Sequence, residues 1–187
     1  MSLLHRLDIA TFYAVNNGFS HPALDVFFSF VTELKNYLAP IALLSAYLWF
    51  RKAPKGRYCL LALLLCVGLT DGISSHLVKH WVQRLRPCAA LPHVLMPHGD
   101  RNTFSFPSSH AVNIAGAMTV LALYFPQGIP AYLAIAFIIG LSRVYLGLHY
   151  PSDVLAGYLL GGLLGMIAWR AVAWIEAAAS ARKPREV

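Results

Sequence analysis

Ser142-Arg143-Val144-Tyr145-Leu146-Gly147-Leu148-His149-Tyr150-Pro151-Ser152-Asp153 joins two long apolar runs, residues 129–146 and 154–169. An arginine, a histidine and an aspartate therefore stand where two hydrophobic segments meet. Ionisable groups at such a junction are costly to keep near lipid, and by default they mark a site. Pro151 breaks the chain between them, so Asp153 opens the following segment and faces back toward His149.

The rest of the chain supports the lipid setting. Of its 187 residues 58% are hydrophobic and 12% charged, about half the charged share of a soluble domain. Several apolar stretches approach the ~20 residues needed to span a bilayer. These features predict an all-α polytopic membrane helix bundle in a single domain, residues 1–187. Interfacial helices occupy 1–33, a transmembrane bundle 34–176 and a basic cytoplasmic tail 177–187. His5, Arg6 and Asp8 interrupt the N-terminus before a compact apolar core can form, which argues against a cleavable signal. The formal charge of +7 gathers at the ends of apolar runs, where it suits lipid headgroups or an anionic substrate and not nucleic acid. Cys59, Cys66 and Cys88 form no CxxC and no disulfide framework.

In order, residues 3–15 place Leu3, Leu4, Leu7, Ala10 and Ala14 at helical spacing, with Ile9 and Phe12 off that face. Residues 22–33 form a second short helix, with Pro22 at its start and Asp25 in its first turn. Five spans are expected at 36–50, 58–78, 107–125, 129–148 and 152–174. The second helix is expected to run on from Lys79 to Arg86, where Pro87 stops it. Residues 88–106 read as a loop. Gly157, Gly161, Gly162 and Gly165 stripe the last span at small-xxx-small spacing, which suits either internal helix packing or the face of a homodimer.

Alternating spans put four polar clusters at one face: residues 79–86, residues 107–110, residues 143–149 and Asp153. The opposite face carries Arg51, Lys52, Lys55 and Arg57, then Arg170 and the tail cations Arg182, Lys183 and Arg185. The positive-inside rule makes that face cytoplasmic and turns the polar clusters outward.

Lys79, Arg86 and Arg143 would repel one another unless gathered around a multiply charged anion, for which phosphate is the obvious candidate. Pro107-Ser108-Ser109-His110 opens a helix whose free N–H groups add an anion site. Asp153 can hold one nitrogen of His149 protonated and leave the other as a nucleophile. His110, at the start of a separate helix, can protonate a leaving oxygen and later deprotonate water. The arrangement requires no metal and no cofactor.

Lys79-x6-Arg86-Pro87, Pro107-Ser108-Ser109-His110 and Ser142-Arg143-x5-His149-x3-Asp153 together resemble the three-part signature of the type 2 phosphatidic acid phosphatase superfamily. The resemblance implies a membrane bundle whose site acts on a lipid phosphate. It makes His149 the nucleophile, Asp153 its support and His110 the general acid. Lys79, Arg86, Ser108, Ser109 and Arg143 become the phosphate ligands. Ser109 stands where the signature usually has glycine, a departure that matters only if the position needs positive φ. The implied protein is a bacterial-type phosphatase of the inner membrane, active on the periplasmic side. Candidate substrates are undecaprenyl diphosphate, ranked first, then phosphatidylglycerol phosphate, phosphatidic acid and lipid A 1-phosphate. Transfer of the phosphoryl group to a second lipid is the enzymatic alternative, and a lipid or ion carrier the non-enzymatic one.

Asp71 and His76 lie within the second span, Asp71 as a hydrogen-bonding partner or a support for the site. His80, His93 and His98 lack compact metal-ligand spacing. Arg84 and Arg101 read either as interfacial charges or as contacts to a second phosphate or headgroup. Trp81, Trp169 and Trp174 read as interfacial anchors.

Overall fold

The computed structural model describes residues 3–96 and 104–181, and the described residues are almost wholly helical, with no strand among them. His98, Arg101, Arg182, Lys183 and Arg185 lie outside them. Two short helices come first, α1 (Leu3–Asn16) and α2 (Pro22–Thr32). A 3-10 turn then leads into α3 (Leu38–Arg51). Helix α4 (Lys55–Asp71) continues through a π-helical stretch, Gly72–Val78, into α5 (Lys79–Val82). After the single turn α6 (Pro87–Ala90) come α7 (Ser109–Tyr124), α8 (Ile129–Tyr145) and α9 (Pro151–Ala181).

Three helical stretches are long and apolar enough to cross a membrane: Lys55–Ala90, Pro126–Tyr145 and Pro151–Ala181. Two of the five expected spans are shorter, α3 with 14 residues and α7 with 16. At 1.5 Å per residue α7 is about 24 Å long, less than the ~30 Å hydrocarbon thickness. It is nevertheless the centre of the bundle, touching α4, α8 and α9.

Small residues make that centre possible. A Cβ on Gly161 would stand 2.2 Å from the Val112 carbonyl oxygen, and one on Gly165 would stand 2.6 Å from that of Gly116. A Cβ on Gly157 would lie 2.8 Å from Ala111 Cβ. Gly157, Gly161 and Gly165 of the stripe therefore pack closely on α7 within one chain. Leu48, Cys59, Ala62, Cys66, Val120, Leu121, Ala168 and Val172 fill the core at the other end. Large apolar side chains such as Leu64, Phe137 and Leu159 point outward, 64–78% exposed, as a lipid-facing surface requires.

Helix α1 is built inside out. Leu3, Leu4 and Leu7 of the expected apolar face are exposed, while Asp8, Phe12 and Asn16 are buried. Phe12, off the leucine face, packs with Ala111, Val144, Tyr150 and Val154. Helix α1 is thus docked on α8 and α9, and α2 on α8. The chain also shows which ends of the helices share a level. Lys55 Nζ lies 5.2 Å above the Phe125 ring, so the α3–α4 turn and the α7–α8 turn lie at one end. The end of α5 and the starts of α7 and α9 lie at the other.

Candidate active site

The opening stretch is the most enclosed part of the chain, with every residue from Ser142 to Tyr150 buried. Helix α8 ends at Tyr145, and Gly147 follows at φ +76°. This left-handed residue turns the chain, and a Cβ there would also meet the Leu95 carbonyl oxygen at 2.7 Å. Leu148 and His149 then donate their N–H groups to the Arg143 carbonyl, each at 3.2 Å. The residue that supplies a cation thereby also folds the turn that carries the imidazole.

Arg86 is buried, and its Nη1 donates to the Leu148 carbonyl at 2.8 Å and faces His149 Nε2 at 3.2 Å. On the other side of the ring, Nδ1 lies 3.7 Å from Asp153 Oδ2. That distance is beyond a hydrogen bond, so Asp153 is adjacent to the imidazole without gripping it. Burial first, then the charges of Arg86, Arg143 and Lys79, hold the His149 pKa well below its ordinary 6.5. The ring is therefore neutral, with Nε2 turned toward the cations.

The expected single helix from Lys79 to Arg86 is not formed. Gln83 adopts φ 50°, which ends α5 at Val82, and Arg86 is extended at φ −69°, ψ 155°. Both cations act electrostatically on the same ring, and a left-handed residue interrupts the helix between them. Helix α7 likewise starts at Ser109, two residues after Pro107, with Ser108 as its N-cap. Ser108 N donates to the Asp153 carbonyl at 3.1 Å, which ties the first turn of α7 to that of α9. Ser108 Oγ is buried without a hydrogen-bond partner among the described residues. His110, second residue of α7, stands at the same end. Ser109 does not have positive φ, so the usual glycine is not needed for backbone reasons. Its Oγ lies 3.2 Å from Ser75 Oγ, which donates to Asp71 Oδ1 at 3.1 Å. The π-helical stretch brings Ser75 to this position, and Asp71 joins the edge of the site through it.

The chain belongs to the PAP2 superfamily. The profile of that superfamily matches residues 57–177. Phosphatidylglycerophosphatase B of Bacillus subtilis (strain 168) is 33% identical over 158 residues, which cover 76% of this chain and 72% of the relative. The crystal structure of Aquifex aeolicus LpxE superposes with a TM-score of 0.70 at 32% identity, covering 88% of this chain and 95% of that one. The Bacillus subtilis transmembrane PAP2 type phosphatidylglycerolphosphate phosphatase gives 0.69 at 26% identity, over 98% and 89% of the two chains. This PAP2 protein is accordingly an integral membrane lipid phosphatase.

Three residues at the site carry no motif. Arg143 Nη1 donates to Thr32 Oγ1 at the end of α2, and nothing in the sequence around Thr32 signals this. Arg84 is engaged by two carboxylates. It joins Asp153 to Asp8, with its guanidinium 3.8 Å from the centroid of the Tyr150 ring. Asp8, the one acidic residue of α1, is the available signal.

Proposed function

We propose that this PAP2 phosphatase hydrolyses a lipid phosphomonoester through a phosphohistidine formed on His149. The observation that carries the proposal is the placement of neutral, buried His149 Nε2 at 3.2 Å from Arg86 Nη1. Nε2 attacks phosphorus in line with the ester oxygen, and the P–O bond to the lipid breaks. His110 gives its proton to the leaving lipid oxygen. Lys79, Arg86, Arg143 and the first N–H groups of α7 hold the non-bridging oxygens as charge develops, with Ser108 and Ser109 beside them. Asp153 Oδ2 closes on Nδ1 and stabilises the imidazolium character of the intermediate. Water, deprotonated by His110, then attacks phosphorus, the P–N bond breaks, and phosphate and neutral His149 are released. No step needs a metal.

Phosphatidylglycerol phosphate is the preferred substrate, ahead of undecaprenyl diphosphate. The support is the relative named phosphatidylglycerophosphatase B, matched over 72% of its length. The site faces the periplasm of a bacterial inner membrane. Arg51, Lys52, Lys55 and Arg57 at the opposite end favour the cytoplasm.

The test is phosphate release by purified protein from phosphatidylglycerol phosphate, undecaprenyl diphosphate, phosphatidic acid and lipid A 1-phosphate, with and without EDTA. An acceptor lipid is added in a parallel arm. Fastest release from phosphatidylglycerol phosphate, insensitivity to EDTA and an acid-labile phosphoenzyme lost in His149→Ala are expected. Full activity in His149→Ala would refute the covalent route. A phosphorylated acceptor lipid in place of free phosphate would make the protein a transferase.

A further inference from the structure

We propose that Asp8 and Arg84 are positioning residues for Asp153: Asp8 takes half of the Arg84 fork, so that Asp153 keeps one oxygen for His149. The proposal rests on the phosphohistidine reading above and adds two residues outside its motifs.

Arg84 Nη1 donates to Asp153 Oδ1 at 2.6 Å and Nη2 donates to Asp8 Oδ2 at 2.7 Å. Nη1 also donates to Ser152 Oγ at 2.7 Å. The other Asp153 oxygen, Oδ2, accepts from the Tyr150 N–H at 2.9 Å and faces His149 Nδ1 at 3.7 Å. A lone arginine beside a lone carboxylate prefers to engage both oxygens at once. Here it engages one, because Asp8 occupies its second arm and the Tyr150 ring beneath it fixes the plane of the guanidinium. Asp8 is held in turn by the start of α9. Ser152 N donates to Asp8 Oδ1 at 2.9 Å and Ser152 Oγ donates to Oδ2 at 2.6 Å. Helix α1 thus caps the first turn of α9 from outside, one residue before Asp153. Asp8 is 9% exposed and Asp153 fully buried. Two carboxylates this enclosed require the cation between them.

Asp8→Asn frees the second arm of Arg84 to close on both Asp153 oxygens. Arg84→Gln leaves two carboxylates without their shared cation. Both disturb the partner of the nucleophile and leave the phosphate ligands Lys79, Arg86 and Arg143 in place. The experiment measures kcat and KM for phosphatidylglycerol phosphate and melting temperature in Asp8→Asn, Arg84→Gln, the double variant, Arg84→Lys and His149→Ala. Each single variant is expected to lose about tenfold or more in kcat with KM little changed. The double variant is expected to be no worse than the poorer single one, because both act through Asp153. Arg84→Lys, a point charge without a fork, is expected to recover much of the Arg84→Gln loss.

Wild-type kcat in both single variants overturns the proposal, as do losses that multiply in the double variant or that appear as a raised KM with kcat unchanged. A variant that melts too low to assay is read through Arg84→Lys: failure of lysine to restore kcat in folded protein overturns it equally. Retained activity in His149→Ala would instead strike down the underlying mechanism. An inactive His149→Ala beside fully active Asp8→Asn and Arg84→Gln would strike down this inference alone.

Discussion

His149 is held neutral by its surroundings, and two consequences can be measured. Its pKa is lowered on folding, so the unfolded chain takes up a proton near pH 6.5 that the folded chain refuses. The stabilising contribution is therefore complete above that pH and is lost as pH falls from 6.5 toward the lower folded value. The melting temperature of wild type should drop more steeply between about pH 6.5 and 5 than that of His149→Gln, which cannot protonate. Parallel curves would show that the ring titrates normally. Catalysis should follow the same ordering, with the acid limb of kcat/KM that reports His149 falling below pH 6.5. The roles of the two histidines separate by leaving group. His110→Ala should cost about 10²–10⁴-fold on a lipid alkoxide, which needs a proton. It should cost far less on a nitrophenyl phosphate, whose leaving group needs none. Equal losses on both substrates would remove His110 as general acid.

The decisive elements are the turns and not the spans. Gly147 combines φ +76° with a carbonyl oxygen 2.7 Å from where a Cβ would sit. Gly147→Ala should therefore cost about 1–3 kcal/mol in stability and lower kcat together with it, because the displaced turn carries His149. Wild-type melting and kcat in that variant would mean the turn relaxes freely. Between helices the same logic applies to α9 on α7. Gly161→Ala places a methyl 2.2 Å from the Val112 carbonyl oxygen, and separating the two helices should cost about 1–3 kcal/mol. Gly162→Ala is the control, since a Cβ there meets only Thr119 Oγ1 at 3.8 Å. Equal melting temperatures for the two variants would refute the tight α7–α9 contact.

Across the whole molecule the site is a closure of distant segments. Lys79 and Arg86 enter from the end of the second hydrophobic stretch, Ser108, Ser109 and His110 from α7, and Arg143, His149 and Asp153 from the α8–α9 junction. Asp8 arrives from the first helix. Orthovanadate, which would bind across several of these segments at once, should raise the melting temperature and do so less in Arg143→Ala. No shift with vanadate in wild type would argue against a preformed phosphate site. The helical membrane class is legible in the sequence, because apolar runs of that length have few other fates. It also singled out the motif residues as candidates, because phosphate chemistry restricts which side chains serve. Their common end followed from counting spans. How they meet depends on the packing of the helices. The spacing of Lys79 and Arg86 suits neighbours on one helix face, yet a left-handed Gln83 intervenes, and a single residue of that kind leaves no periodic trace. Leu3, Leu4 and Leu7 marked a face of α1 but not which way it turned. The leucines turn outward, and the buried side combines Phe12 with Asp8 and Asn16. The link from Asp8 through Arg84 to Asp153 spans more than a hundred residues of chain. Spacing rules describe neighbours along one element, so a contact between three elements became visible only when they were packed together.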